Sequence, residues 1–210
     1  MKITILCSSK WHPVYQWLEN WRDQHKEHQV TLLNRIVDVE GGDILFLISC
    51  TELVKEDIRK KFKHTLVIHP SDLPKGRGWS PQVWQILKGE KDIVVTLFEA
   101  VDKVDAGDIW TKKSFHVEDH ELYDEFNRKL FETELSLMDY AIENVNSIIP
   151  KPQILEEGSY FPRRNPEDSQ LDPDKSISEQ FDLIRIADPN RFPCYFYLRG
   201  KRYKITIQKY

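Results

Sequence analysis

Two residues in the middle of the chain, His69 and Asp105, belong to the types that carry out acid–base chemistry. His69 follows the apolar run 65–68 and precedes Pro70, which lacks the amide proton that a strand needs, so His69 is predicted to end a buried strand. Asp105 lies in the acidic loop after a second apolar run, 93–98. A carboxylate beside an imidazole orients the ring and stabilises its protonated form. Taken singly, the two residues would be a strand-end cap and a turn carboxylate; together they predict a general-base site where the two loops meet.

The segment that follows His69 is a turn-rich loop with two glycines and two cationic side chains. Glycine lets a ligand approach the backbone closely, and loops with so specific a composition usually bind something. In open parallel sheets the carboxyl ends of the strands face the ligand crevice, so a loop at the end of this strand has access to a ligand. The loop residues predicted to contact a ligand are Ser71, Lys75, Gly76, Arg77, Gly78 and Trp79.

Short apolar runs alternate with amphipathic segments along the chain, which predicts an α/β fold with a Rossmann-like, mostly parallel sheet and helices on both faces. The predicted strands are 2–7, 29–33, 43–49, 65–68, 93–98 and 113–117, and the predicted helices are 12–26, 52–62, 80–88 and 120–144. Beyond residue 150 the chain becomes polar and turn-rich, so we divide it into a core, 1–150, and a small C-terminal appendage, 151–210. The appendage is expected to contain one helix, 176–186, and a β-hairpin within 193–210.

Composition excludes several classes of protein. With 210 residues, 40% of them hydrophobic, and a net charge of -4, the chain fits one sizeable soluble core and lacks the basic balance that nucleic-acid binding requires. A mean hydropathy of -0.54 and the absence of a long apolar run argue against a membrane span. The cysteines Cys7, Cys50 and Cys194 are odd in number and lack paired spacing, so we expect no disulfide, no metal site and a cytoplasmic location.

The loop after the first strand, 8–11, contains no glycine. A dinucleotide-binding turn needs a Gly-x-Gly-x-x-Gly run so that the pyrophosphate can reach backbone amides, and a nicotinamide or flavin dehydrogenase is therefore disfavoured. Ser8, Ser9 and Lys10 could contact phosphate or sugar hydroxyls from this loop, or be solvated turn residues. The sequence leaves both interpretations open.

The motifs of the central stretch resemble those of the formyltransferases that use 10-formyltetrahydrofolate, and within that family the group that formylates amino groups of nucleotide-linked sugars. The matching motifs are His69-Pro-Ser-Asp-Leu-Pro74, Gly78, Pro81-Gln-Val-Trp84 and Asp105-Ala-Gly-Asp108. A Pro-Arg-Arg-x-Pro-Glu-Asp run at 162–168, a helix and a terminal hairpin extend the resemblance over nearly the whole chain. One element differs, because the family pattern has an asparagine two residues before the histidine and this chain has Val67.

The resemblance implies the formyltransferase fold and transfer of a formyl group from 10-formyltetrahydrofolate to the amine of a nucleotide-linked amino sugar, giving the N-formylamido sugar and tetrahydrofolate. The similarity favours a UDP-linked 4-amino-4,6-dideoxy sugar of the pseudaminic-acid type. His69 would be the base, and Asp105 would hold its ring and stabilise the imidazolium. A backbone amide, Thr65 or Ser49 is expected to replace the missing asparagine as donor to the formyl oxygen.

The resemblance also implies where the ligands bind. The pterin is expected to pair with backbone groups of the loop 98–102. The residues expected to contact the folate are Trp84, Ile86, Leu97, Phe98, Glu99, Ala100, Val101 and Asp102. The sugar nucleotide is expected to enter past the loop 75–79, with Ser49 and Ser71 among its contacts.

Other functions stay open at this point. Within the family, formylation of glycinamide ribonucleotide and hydrolysis of the folate use the same histidine and aspartate. The missing asparagine also fits a non-catalytic module that binds folate or nucleotide. Family members specific for tRNA carry a longer C-terminal domain than the segment 151–210 provides, which disfavours a nucleic-acid substrate. A homodimer is compatible with the sequence.

Overall fold

The computed structural model describes residues 1–210. The strands are β1 (Lys2–Leu6), β2 (Gln29–Leu33), β3 (Gly42–Leu47), β4 (Phe62–His69), β5 (Arg77–Gly78), β6 (Asp92–Glu99), β7 (Ile109–His116), β8 (Tyr160–Phe161), β9 (Tyr195–Leu198) and β10 (Lys201–Lys204). Six of these strands form the main sheet, in the order β2-β1-β3-β4-β6-β7. The helices are α1 (Tyr15–Gln24), α2 (Glu56–Arg59), α3 (Pro81–Leu87), α4 (Tyr123–Asn144) and α5 (Phe181–Arg185).

One face of the sheet is covered by α1 and α4. Side chains at alternate positions of a strand point to opposite faces, so one set of residues from each central strand packs against these helices. The main core contains Leu18, Trp21, Ile44, Phe46, Leu66, Ile68, Leu137 and Met138 among its buried members. Burial of this apolar surface, at roughly 25 cal/mol per Å², is the main force that holds the layers together.

The opposite face packs against α2 and the loops around it. Leu45, Leu47 and Phe62 from the strands form a second buried cluster there, against which Ile58 of α2 and Val67 of β4 pack. Helices therefore lie on both faces, and the predicted α/β fold with its mostly parallel sheet is confirmed. Because Leu66 and Ile68 point into the main core, the alternation of β4 turns Val67 and His69 to this second face.

The direction of β6 differs from a simple strand–helix–strand repeat. The first four strands of the sheet run parallel, but β6 runs antiparallel to β4, and β7 antiparallel to β6. Glu99 at the end of β6 lies opposite Leu66, three residues and about 10 Å before His69 along β4. We expected the loops of His69 and Asp105 to meet because both follow strands that end at the same edge of the sheet. Because β6 is antiparallel to β4, the two strands end at opposite edges, and this expectation is wrong. The loop 100–108 folds back along the second face of the sheet instead.

The C-terminal appendage contains the predicted hairpin, β9 paired antiparallel with β10. The predicted helix 176–186 is shorter, because a 3-10 turn at Ser178–Gln180 precedes α5. The appendage also contributes β8, which pairs in parallel with β5 of the loop after His69. The sequence pattern did not predict this two-stranded pairing.

Most predicted elements are present with small shifts at their ends. The strand predicted over 113–117 begins earlier, at Ile109, and the helix predicted over 52–62 is only the single turn of α2 because Phe62 already belongs to β4. None of the helices is both long enough and apolar enough to cross a membrane.

Candidate active site

His69, the last residue of β4, is buried and its side chain is 10% exposed. Its Nε2 lies 3.0 Å from the carbonyl oxygen of Gly76 and 3.9 Å from Oδ2 of Asp105. The other ring nitrogen, Nδ1, makes no hydrogen bond within the protein. Since a carbonyl oxygen only accepts, Nε2 is the nitrogen that donates in the neutral ring. The imidazole is thus fixed on one side and free on the other.

Asp105 is held beside His69 by backbone contacts. Its Oδ2 accepts from the Gly78 amide at 2.8 Å, and its side chain is 10% exposed. Its φ of 53° lies in the left-handed region, which aspartate tolerates better than most residues. Gln153 of the appendage donates to the carbonyl oxygens of Asp105 and Gly107, at 3.4 and 2.6 Å. A Cβ on Gly107 would lie 1.7 Å from the carbonyl oxygen of Glu99, so only glycine lets the loop pack here.

The short strand β5 has hydrogen bonds on both of its edges. On one edge, the amides of Arg77 and Trp79 donate to carbonyl oxygens of Ser159 and Phe161, at 3.0 and 3.1 Å. On the other edge, the Gly76 carbonyl accepts from Nε2 of His69 and the Gly78 amide donates to Oδ2 of Asp105. Gly78 has a φ of 102°, and a Cβ there would meet the Phe161 carbonyl oxygen at 2.3 Å. The appendage therefore braces the loop that orients His69 and Asp105.

The end of β3 lies next to His69. Leu47, the last residue of β3, pairs with Val67, and Ser49 is the second residue after this pair on one strand as His69 is on the other. Ser49 has a φ of 48°, and its amide makes no hydrogen bond to another part of the chain. Thr65, by contrast, lies four residues before His69, about 13 Å along the strand. Its buried hydroxyl has no partner.

The residues predicted to contact folate do not form one continuous surface. Ile86 and Leu97 are fully buried, Ile86 with Ile93 and Phe126 and Leu97 in the main core, so their side chains have no surface to offer a ligand. Phe98 is 1% exposed.

Trp84 packs against the appendage, because its indole stacks on Phe161 and donates to the carbonyl oxygen of Pro162 at 3.0 Å. Glu99 accepts hydrogen bonds from His64 and Trp110 on the face opposite His69.

The exposed part of this predicted set is the loop after β6. Ala100 is half-buried and its amide donates to the Thr65 carbonyl at 2.7 Å. Val101 is 41% exposed. Asp102 forms an ion pair of 2.7 Å with Arg59 of α2. Of the predicted folate contacts, these three residues lie in the loop that connects β6 to Asp105, and they expose surface there.

The predicted substrate loop surrounds His69. Ser71 is buried, its amide donates to the His69 carbonyl at 2.8 Å, and its hydroxyl has no partner. Lys75 is exposed, Arg77 is half-buried with an unpartnered Nε, and the Trp79 ring lies under the Arg163 guanidinium at 4.8 Å.

Sequence reasoning missed the residues of the appendage that reach this loop. Gln153, Ser159 and Phe161 contact the loops of His69 and Asp105 although they are more than forty residues away along the chain. No local pattern signals such contacts. The only available signal was the Pro-Arg-Arg-x-Pro-Glu-Asp run that follows them.

Cys50 follows Ser49 at the end of β3, close to the site. Burial raises the pKa of its thiol, so the thiolate that nucleophilic attack requires is disfavoured. Ser8 and Glu52 supply its hydrogen-bond partners at 3.7 and 3.5 Å. The geometry supports acid–base chemistry at His69 rather than covalent chemistry at Cys50.

A family model described as formyl transferase matches residues 7–142 of this chain. The methionyl-tRNA formyltransferase of Protochlamydia amoebophila is 28% identical over 174 residues, 80% of this chain and 54% of that protein. The chain spans about half the length of the curated methionyl-tRNA formyltransferases that it matches.

Solved structures share the fold over almost the whole chain. HypX from Aquifex aeolicus, in complex with tetrahydrofolic acid, has a TM-score of 0.84 at 23% identity and covers 99% of this chain and 37% of that chain. A sugar N-formyltransferase from Shewanella sp. has a TM-score of 0.73 at 18% identity and covers 99% of this chain and 97% of that chain.

Proposed function

Because the chain belongs to the formyl transferase family, we propose that it transfers the formyl group of 10-formyltetrahydrofolate to the amine of a nucleotide-linked amino sugar. The family uses this folate as its formyl donor. The observation that carries the proposal is the His69 imidazole, fixed through Nε2 beside Asp105 and free at Nδ1. Such a ring is ready to accept a proton from an attacking amine.

In the proposed reaction, the neutral amine attacks the formyl carbon and a carbon–nitrogen bond forms. His69 takes the proton that the amine loses, and Asp105 stabilises the resulting imidazolium at its Nε2 side. The bond between the formyl carbon and N10 of the folate then breaks, and His69 returns the proton to that nitrogen. General acid–base catalysis of this kind contributes about 10²- to 10⁴-fold in rate.

The tetrahedral intermediate carries a negatively charged oxygen that needs a hydrogen-bond donor. Burying this charge without a donor would cost at least ~3 kcal/mol. Val67 leaves no side-chain donor at the family's asparagine position. The unpaired Ser49 amide, two residues past the last pair of β3 with β4, fits this role best, with the Ser49 hydroxyl in support. Thr65 is too far along β4 to reach the same formyl oxygen.

The proposed ligand surfaces follow the exposed residues. The pterin pairs with backbone groups of the loop 98–102, and the folate lies along Ala100, Val101 and Asp102. The side chains of Ile86 and Leu97 contribute to the shape of the core and not to contact. The acceptor enters past Lys75 and Arg77, whose cationic side chains suit the diphosphate of a nucleotide sugar.

An acceptor panel tests the function. The protein is incubated with 10-formyltetrahydrofolate and, in turn, UDP- and dTDP-linked amino sugars, glycinamide ribonucleotide, methionyl-tRNA and water alone. We expect release of tetrahydrofolate with the amino sugars, fastest with a UDP-linked 4-amino-4,6-dideoxy sugar, and an N-formylamido product by mass spectrometry.

Each other result identifies a rival. Preferred formylation of methionyl-tRNA would favour the activity named for the curated relatives and would overturn the sugar assignment. Release of tetrahydrofolate and formate without an acceptor would identify a hydrolase. Tight folate binding without any turnover would identify a binding module.

A further inference from the structure

Two hydrogen-bond acceptors lie near Nε2 of His69. The Gly76 carbonyl oxygen lies 3.0 Å and Asp105 Oδ2 3.9 Å from Nε2, whereas Nδ1 has no partner in the protein. Both acceptors favour a proton on Nε2, so the neutral ring keeps its lone pair on Nδ1. The hydrogen bond at one ring nitrogen sets which nitrogen can act as a base, and here the closer acceptor is a backbone carbonyl.

The direction of that carbonyl is set from outside the loop. The Gly76 carbonyl and the Arg77 amide belong to one planar trans peptide and point in opposite directions. The Arg77 amide donates to the Ser159 carbonyl at 3.0 Å, and this bond turns the Gly76 carbonyl towards His69.

The preceding peptide is held by the same residue. The Gly76 amide donates to the Ser159 hydroxyl at 2.8 Å. Gly76 is buried, with a φ of 73°, so its amide has no access to bulk water as an alternative partner. Ser159 therefore binds both sides of Gly76, one with its side chain and one with its backbone.

We propose that Ser159 is a positioning residue that, through the Gly76 peptide, holds the proton of neutral His69 on Nε2 and leaves Nδ1 free to accept the proton of the attacking amine. The kinetic part of this inference rests on the proposed formyl transfer. Loss of the Ser159 hydroxyl leaves the amide of the buried Lys75–Gly76 peptide unpaired, so this peptide rotates to find another partner. The rotation changes the backbone angles at Gly76, and the Gly76 carbonyl turns away from Nε2 because the bond from the Arg77 amide to the Ser159 carbonyl is then the only one that holds it. The proton is then free to move to Nδ1, where it blocks the base.

The test compares Ser159→Ala, the matched pair Ser159→Thr and Ser159→Val, and Ser147→Ala as an exposed control far from the site. Threonine and valine have the same shape and differ by the hydroxyl that Gly76 needs. We expect the alanine and valine variants to lose about three- to tenfold in kcat, with KM for folate and acceptor unchanged. The threonine and Ser147→Ala variants should keep wild-type kcat.

A second readout does not depend on activity. Long-range proton–nitrogen NMR of ligand-free protein labelled with ¹⁵N-histidine, recorded over a pH series and assigned with His69→Gln, reports which ring nitrogen carries the proton. We expect Nε2–H in the wild type and in Ser159→Thr, and a shift of population to Nδ1–H in Ser159→Ala and Ser159→Val.

Two results would overturn the proposal: Nδ1–H in the wild type, or an unchanged Nε2–H population in the alanine and valine variants. Equal kcat for the threonine and valine variants would do the same, because the hydroxyl would then have no role. If the wild type formylates no acceptor, the proposed function fails, and the NMR comparison alone decides whether Ser159 sets the tautomer.

Discussion

At the scale of single residues, the site is a pair of side chains held by backbone groups. His69 donates to the Gly76 carbonyl and Asp105 accepts from the Gly78 amide, so two glycines two positions apart orient the imidazole and the carboxylate. Backbone partners restrict the ring more firmly than long side chains do, because they have few alternative conformations. The arrangement orients the ring through Nε2 and leaves Nδ1 without a partner in the protein.

The pair is tested by His69→Ala, Asp105→Asn and the double variant. His69→Ala should lower kcat by at least about 100-fold and leave the affinity for a folate analogue near the wild-type value, because a base acts in the transition state. Asp105→Asn should also be severe. Since both residues act on one proton, the double variant should lose little beyond the worse single variant.

Steady-state kinetics and calorimetric titration of the folate analogue supply these values. Wild-type turnover in His69→Ala would refute the base assignment. Multiplicative losses in the double variant would mean that His69 and Asp105 act independently.

The missing asparagine gives a second prediction at this scale. Val67 is half-buried against the cluster of Leu45 and Leu47, and we propose that the unpaired amide of Ser49 supplies the donor in place of an asparagine. Val67→Asn should therefore give no gain in turnover and should lower stability, because it buries an amide side chain among apolar groups. Ser49→Pro, which removes the amide proton, should lower kcat by at least about tenfold, whereas Ser49→Gly should stay within a few-fold.

Proline also disfavours a φ of 48°, so circular dichroism must show that Ser49→Pro is folded before its rate is interpreted. A several-fold gain in Val67→Asn, with no loss in folded Ser49→Pro, would show that the natural site lacks a donor.

At the scale of elements, α4 combines a long apolar stripe with a buried carboxyl group. Glu134 lies among the residues that face the sheet, and its Oε2 has no hydrogen-bond partner. Burial raises the pKa of this carboxyl to about 8. The folded protein therefore holds the Glu134 proton more tightly than the unfolded chain does.

This difference makes stability depend on pH. The contribution of protonated Glu134 is fully present below the unfolded pKa, about 4.5, and is lost as pH rises towards about 8. The free energy of unfolding should fall over this window by an amount on the order of a few kcal/mol. Glu134→Gln cannot lose a proton, so it should flatten the pH dependence and stabilise the protein at pH 8 and above.

Urea denaturation at a series of pH values measures this effect, with Glu132→Gln on the exposed side of α4 as the matched control. An unchanged slope in Glu134→Gln would show that other groups cause the pH dependence. An equal effect of Glu132→Gln would show that only net charge matters.

At the scale of the whole molecule, the appendage contacts the core in two places: at the loops around His69 and Asp105, and through apolar packing elsewhere. Ile186, 2% exposed, packs with Ile86, Ile93 and Phe126 of the core. Arg185 next to it donates to two core carbonyl oxygens, at 3.1 and 3.3 Å. We therefore propose that the segments 1–150 and 151–210 unfold as one unit, although their compositions differ.

Ile186→Ala tests this coupling. It should lower the free energy of unfolding of the entire chain by about 2–5 kcal/mol, whereas Ile177→Ala, at a side chain 66% exposed, should change it by no more than about 0.5 kcal/mol. Fluorescence and circular dichroism in urea should give one coincident transition in both variants. Two separate transitions would show that the appendage is an independent domain.

The sequence determined most elements of this fold because their signals are local. The apolar runs that became β1, β2, β3 and β4 and the stripe of α4 are periodic patterns, and burial of one face is enough to select strand or helix. Pro70 and the glycines around residues 76–78 likewise marked the end of β4 and the loop after it, since their backbone preferences act within a few residues.

Contacts between distant segments were decided only by the tertiary structure. β6 runs antiparallel to β4, and an apolar run by itself does not predict the direction of a strand. The pairing of β5 with β8 joins two-residue strands that are too short for any periodicity.

The proposed roles of Ser159 and Ser49 depend on which backbone groups are paired after folding and which remain unpaired. That is a property of the assembled structure, because hydrogen-bond satisfaction is set by neighbours in space and not by neighbours in sequence.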